Sequence, residues 1–347
     1  MSTGKKKNTR ILLVFQENFL AKASNCDIDF LSTSDSFTPM AVQTSNRLKD
    51  IINISWKILS RKYDIIFVPT PNLIYPWDKA GIKKTLRNTL RLLLKSNLFA
   101  SVVRFMTRKA QVIVLDRYAV STVQLDFWKL FGPTSDYYTT NLSVENDIRY
   151  NHSKDKPPVG NVYQFPLYIF TSKYHPPKHV EKDIELFFSG TINSKAREEA
   201  LPALELLQQK GYNVIINTSR LNMQQYLDYM SRSLLCLSPA GVGYDCFRHY
   251  EIMLCSSVPL INASEEPLKI ALTHGENCFL YKDADDMVKQ VESLLKDPAF
   301  LKRMGEQLST TVYDSNDIYS VGNNILSRYI TDSSFKQKKS AVNQVLA

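Results

Sequence analysis

The chain has 347 residues, 44% of them hydrophobic and 22% charged, with a formal net charge of +9 at pH 7; this excludes a wholly disordered or collagen-like chain and favours two domains over one. Its apolar runs, such as 11–15 and 65–68, fall well short of the ~20 residues of a membrane-spanning helix, and the stretch after the basic start MSTGKKKNTR is too short for a signal-peptide core. The cysteines (Cys26, Cys236, Cys246, Cys255, Cys278) include no C-x-x-C pair, so neither a disulfide framework nor a zinc site is indicated, and a reducing, cytoplasmic setting is expected.

In chain order, residues 10–15 read as a buried strand and 26–31 as a second. Residues 47–59 have helical spacing of Leu48, Ile51, Ile52 and Ile58. A strand at 64–68 stops at Pro69-Thr70-Pro71. Residues 82–106 form a long basic amphipathic pattern: Lys83, Lys84, Arg87, Arg91 and Lys95 beside Ile82, Leu86, Leu90, Leu93 and Leu94. Such a helix suits an anionic membrane surface, or else a core-facing helix with a basic solvent face. A strand at 111–115 ends at Asp116, and 136–140 and 162–170 look extended. Residues 152–183 hold two Pro-Pro pairs and read as loop or linker.

Alternation then restarts. Strands are expected at 184–188, 212–216, 234–237, 258–262 and 279–281, and helices at 197–210, 223–231, 247–255 and 284–295. Strand, helix, strand at this rhythm predicts parallel sheets with helices on both faces. Charge divides in the same region: residues 1–178 carry 26 Lys and Arg against 13 Asp and Glu, residues 179–347 carry 17 against 21. The expected organisation is therefore a first Rossmann-like domain at 1–178 and a second at 179–312. A helix in 313–335 is expected to cross back to the first domain, with a tail at 336–347. Two such domains face each other across a cleft, and ligands of open α/β sheets bind beyond the carboxyl ends of the strands.

The most informative stretch is LLCLSPAGVGYDCFRHYEIMLCSSVPLIN, residues 234–262. A buried strand runs into a loop holding Gly241 and Gly243, where backbone can approach a ligand, and a helix follows whose free N–H groups suit an anion. Arg248 lies in the first turn of that helix, and Glu251 is three residues on, on the same face. A guanidinium for a diphosphate and a carboxylate for ribose hydroxyls is a nucleotide-sugar arrangement; the same spacing also describes an ordinary intrahelical ion pair.

The order LCLSPAG, FRHYE, SSVPLI resembles the donor half of GT-B glycosyltransferases, in particular the exostosin-like and group 1 families. Upstream, LFFSGTINSKAREEALPALELL is similar to the first strand, loop and helix of that half, and downstream HGENCFLYKDADDMVKQVESLLKDP is similar to its ending. The resemblance covers about residues 184–305. It implies a GT-B fold, a nucleotide-sugar donor on the second domain, and a glycan or lipid-linked acceptor on the first. It places Ser189, Gly190, Thr191 and Arg197 against the donor diphosphate. Retaining group 1 enzymes often carry an acidic residue eight positions before the helix Glu; here Gly243 stands there, with Asp245 nearby. The departure points to inverting chemistry. The expected function is metal-independent transfer of a hexose or pentose in cell-surface polysaccharide or glycoconjugate synthesis, in the cytoplasm or peripheral on the inner face of the membrane. A non-catalytic GT-B module binding a glycan or partner is the alternative.

Inverting transfer requires one base to deprotonate the acceptor hydroxyl. The candidates at strand ends and loops of the first half are Glu17, Asp78 beside Tyr75-Pro76-Trp77, and Asp116, which also has the look of an ion pair with Arg117. No metal or cofactor is expected beyond the donor as co-substrate. Asp27-Ile28-Asp29 has D-x-D form but sits inside a strand, and Asp283–Asp286 reads as a helix cap. The histidines show no ligand spacing; His249 borders the donor site or is a solvated helix residue. No G-x-G-x-x-G follows the first strand, which disfavours a dinucleotide enzyme, and no nucleic-acid reader motif is present.

Overall fold

The computed structural model describes residues 8–15, 18–24, 26–32, 56, 63–70, 97–116, 123–178, 180–241 and 243–330. They form two compact units, one running to Phe165 and resuming at Gly322, the other spanning Pro166–Val321.

The first unit has a six-stranded sheet in the order β2-β1-β3-β4-β5-β6, all pairs parallel. Its strands are β1 (Thr9–Phe15), β2 (Cys26–Ser32), β3 (Ile65–Pro69), β4 (Gln111–Asp116), β5 (Asp136–Thr139) and β6 (Val162–Gln164). Ile11, Leu12 and Leu13 are all buried, as are Val112 through Leu115. Such continuous apolar runs are what central parallel strands need, because both faces are covered. Helices α1 (Asn97–Thr107), α2 (Leu125–Trp128) and α3 (Val144–Asp147) belong to this unit. Trp128 packs with Tyr137 and Tyr150, and its indole N–H donates to the Ser135 carbonyl at 2.9 Å. The basic residues expected on the 82–106 helix lie outside the described residues, as does the 47–59 helix apart from Trp56.

The second unit has a five-stranded parallel sheet, β11-β10-β9-β7-β8. The strands are β7 (Ile184–Ser189), β8 (Val214–Asn217), β9 (Ser233–Leu237), β10 (Val258–Asn262) and β11 (Phe279–Tyr281). The helices are α4 (Lys195–Gln209), α5 (Met223–Arg232), α6 (Phe247–Leu254), α7 (Ala284–Leu294), α8 (Pro298–Ser315) and α9 (Ile318–Leu326), the last running on into the first unit. One core holds Leu186, Phe188, Leu235 and Leu260 with Leu204 and Leu207 of α4 and Met304 of α8. Another holds Phe187 and Cys236 with Leu227 and Met230 of α5. Alternate residues of β7 thus serve opposite faces, as the two-residue strand period requires.

Three differences from the sequence reading have local causes. Only Val162–Gln164 of the extended stretch 162–170 is strand; Ile169 instead makes an isolated bridge with Asp317. The units divide between Phe165 and Pro166 because Leu167 and Ile169 enter the second unit's core and Tyr174 packs on it. Helix α8 was not foreseen, and it spans the expected boundary at 312. Its signals were present: Asp297 caps by accepting from the Phe300 N–H, Pro298 occupies the first turn, and Leu301, Met304, Leu308 and Val312 are buried on one stripe. From Gly322 to residue 330 the chain packs with the first unit, where Tyr329 donates to Asp136 at 2.8 Å.

Lys182 precedes β7 and is half-buried, donating to the Ser233 carbonyl at 2.9 Å and Ser257 Oγ at 2.8 Å. Burial lowers its pKa from 10.5 to about 8. The folded state therefore disfavours the charged form: its destabilising effect is full below about pH 8 and is relieved as pH rises towards 10.5. Buried cysteines titrate in the opposite sense, so the measurement is comparative. The unfolding temperature of the wild type relative to Lys182→Met is expected to rise between about pH 8 and pH 10. A flat difference would contradict the assignment.

Candidate functional site

The C-terminal ends of β7 and β9 lie side by side, with Leu186 opposite Leu235 and Phe187 opposite Cys236. Each strand leads through a loop into a helix, β7 into α4 and β9 into α6. The Ser194 hydroxyl joins the two loops by donating to the Ala240 carbonyl at 2.8 Å, and the Ala240 N–H donates to Asn262 Oδ1 at 2.7 Å.

Neither helix start is closed by a side chain. Ser194 and Cys246 stand at the N-caps of α4 and α6 without a side-chain cap bond. Asn222, Asp283 and Asp297 do cap α5, α7 and α8, Asp283 fulfilling its expected role. The first-turn N–H groups of α4 and α6 carry partial positive charge and suit an anion.

Two arginines share the same end of the sheet. Arg197 is buried; its Nη1 donates to the Thr191 carbonyl at 2.9 Å and Asn193 Oδ1 at 2.8 Å, while its Nε is buried without a partner. Arg248 Nε and Nη1 are likewise buried without a hydrogen-bond partner. Burial, then the charge of Arg248, lowers the Arg197 pKa below its ordinary value. Native proteins rarely bury unpaired cationic donors, because each costs its desolvation energy. The glycines fit these side chains. A Cβ on Gly190 would lie 2.9 Å from Arg248 Nη2, and one on Gly241 would lie 3.1 Å from Arg197 Nη2. Glycine at both positions gives each guanidinium its place against a loop backbone.

Glu251 follows on α6. Its Oε1 accepts from the Tyr174 hydroxyl at 2.8 Å and its Oε2 from the Tyr226 hydroxyl at 3.2 Å. Burial, then the charge of Glu251, raises the Tyr226 pKa. The charge of Arg248 acts on the same hydroxyl and pulls its pKa the other way. Neither tyrosine was singled out from sequence.

His249 is not solvated. It is fully buried, with Nδ1 2.8 Å from Ser238 Oγ and Nε2 2.9 Å from the Tyr244 carbonyl. Cys246 Sγ lies 3.5 Å from His249 Nε2. Burial raises the thiol pKa, but His249 and Arg248 outweigh it and bring Cys246 down to about 7. Burial holds Cys236 and Cys255 up at about 12. Iodoacetamide is therefore expected to label Cys246 first among the described cysteines, with half-maximal rate near pH 7 by peptide mass spectrometry. Equal labelling of Cys246 and Cys236 at that pH would contradict it.

The other sequence candidates are placed as follows. Ser189 ends β7 and its hydroxyl accepts from Asn217 Nδ2 at 3.1 Å; Thr191 is exposed; Gly243 lies in the loop before α6. Glu17, Asp78 and Arg117 lie outside the described residues. Asp116 is fully buried at the end of β4 and accepts a hydrogen bond from Tyr137. In the D-x-D segment Asp29 accepts from the Tyr63 hydroxyl and Asp27 from Asn8. Among the described residues no helix is long and apolar enough to cross a membrane.

Residues 186–303 match the family described as RXYLT1 C-terminal domain. No curated protein matches the chain in sequence. Among solved structures, a glycosyltransferase from Rickettsia africae ESF-5 is similar, with 9% identity, 93% of this chain and 98% of that one covered, and a TM-score of 0.55. Anabaena Alr3699/HepE in complex with UDP is similar at 11% identity, covering 92% of this chain and 99% of that one, with a TM-score of 0.51. Two parallel α/β units on one chain, aligned over nearly the whole length of such proteins, give the conclusion that the chain has the GT-B glycosyltransferase fold, with a segment, residues 186–303, that matches the RXYLT1 C-terminal domain family.

Proposed function

We propose that this chain is a glycosyltransferase that takes a hexose or pentose from a nucleoside-diphosphate sugar bound by its second unit. The observation that carries the reading is the pair of arginines, 197 and 248, with buried donors lacking partners beside two helix starts without side-chain caps. A diphosphate supplies the acceptor oxygens these groups lack, and it is also the leaving group whose charge grows during transfer. Glu251 takes the ribose hydroxyls. With two guanidiniums and two helix N-termini at the phosphates, the transfer we propose is metal-independent.

The chemistry we propose is inverting, and the acceptor is a glycan or lipid-linked saccharide in cell-surface glycoconjugate synthesis. Full burial and the Tyr137 bond support an orienting role for Asp116 and leave the base role to Glu17 or Asp78. The basic first half supports peripheral contact with the inner face of an anionic membrane. So do Val102 and Phe105, exposed on α1, with the Arg108 guanidinium 4.7 Å from the Phe105 ring centre.

The test is release of nucleoside diphosphate from a set of UDP-, GDP-, ADP- and TDP-sugars, with and without saccharide acceptors. Turnover of one donor class, absent in Arg248→Ala, is the expected result. Nucleotide binding without turnover of any donor would select the non-catalytic module.

A further inference from the structure

We infer that Tyr226 and Tyr174 are positioning residues of this site: each fixes one oxygen of the ribose-facing Glu251, Tyr226 from α5 and Tyr174 from the Pro-rich stretch before β7. The inference rests on the nucleotide-sugar reading above.

Glu251 is held at both oxygens, by two hydroxyls from separate parts of the unit. A glutamate on a helix has rotatable side-chain bonds, and a ligand that orders them loses that entropy from its affinity. Two hydroxyls, one on each oxygen, set the plane of the carboxylate before any ligand arrives. Each oxygen accepts two hydrogen bonds in favourable directions, so each retains capacity for one more. That remaining pair matches the two hydroxyls of a ribose. The Tyr226 hydroxyl donates to one oxygen of Glu251 and the Tyr174 hydroxyl to the other. Loss of either hydroxyl frees the carboxylate.

The experiment uses the full chain and calorimetric titration. UDP is the first probe; if another diphosphate in a set of UDP, GDP, TDP and ADP binds more tightly, it replaces UDP. The chosen diphosphate is compared with its 2′-deoxy form and its monophosphate. For the wild type, a preference of about tenfold for ribose over deoxyribose is expected from one hydrogen bond to a charged group. Tyr174→Phe is expected to bring that preference close to one and to leave the diphosphate-over-monophosphate preference intact. Tyr226→Phe is expected to do the same. A general loss of structure lowers all affinities without changing their ratios, so the ratios separate positioning from stability. If a single variant unfolds, a double-mutant cycle of Tyr174→Phe with Glu251→Gln replaces it, and a coupling of about tenfold is expected. Ratios unchanged in both tyrosine variants, or zero coupling in the cycle, would overturn the inference. A wild type that binds no nucleotide would overturn the donor-site reading itself, which is a distinct result.

Discussion

Replacing Arg248 with Met is expected to weaken nucleoside-diphosphate binding on the order of 100-fold and, in the absence of nucleotide, to raise the unfolding temperature. The two effects have one cause. In the free protein Arg248 buries Nε and Nη1 without partners, and its charge adds to that of Arg197 nearby. Methionine keeps the apolar stem and removes the unpaired donors. In the complex we propose, the same donors meet phosphate oxygens, where charge-assisted bonds are worth about 1.5–3 kcal/mol each. Arg248→Ala loses the same affinity without the packing gain. A packing arginine would show the opposite pattern, with lower stability and unchanged nucleotide affinity.

Gly305→Ala is expected to destabilise the second unit by about 3 kcal/mol, lowering its unfolding temperature by roughly 10 °C. Gly305 lies inside α8, where a Cβ would stand 2.1 Å from the Ser256 carbonyl oxygen. Ser256 cannot easily retreat. It has a φ of 56° in the turn between α6 and β10, and its neighbour Ser257 is fully buried. An alanine inside a helix is ordinarily favourable by about 1 kcal/mol over glycine, so a loss here isolates the close approach of α8 to that turn. Thermal unfolding of the variant measures it, and a gain in stability would contradict the packing.

Much of this fold was legible because central parallel strands announce themselves. The runs at β1, β3, β4, β9 and β10 are continuously apolar and bounded by turn residues, and each was placed within a residue or so. Helix α8 was missed because Asp297-Pro298 reads equally as a stop and as a start. Glycines 190 and 241 and arginines 197 and 248 were singled out by resemblance and residue chemistry, but which guanidinium lies against which glycine is visible only in the folded chain. The solvated alternative for His249 fails because α6 buries His249, Tyr250, Ile252, Met253 and Leu254, leaving no periodic face to separate inside from outside. Tyr226 and Tyr174 left no signal at all. One lies on an amphipathic helix and the other follows the second unit's start without regular structure, and only the folded chain brings both hydroxyls to one carboxylate.

The most direct test of the donor site is thermal unfolding of the intact chain with UDP, GDP, CMP, TDP and ADP in turn. A ligand that binds only the native state stabilises it by about 2.7 kcal/mol at 100 times its dissociation constant. One nucleoside diphosphate should raise the unfolding temperature of the wild type and leave Arg248→Ala unmoved, naming the donor class in the same step. No shift with any nucleotide, or an equal shift in Arg248→Ala, would contradict the placement of the donor between the starts of α4 and α6.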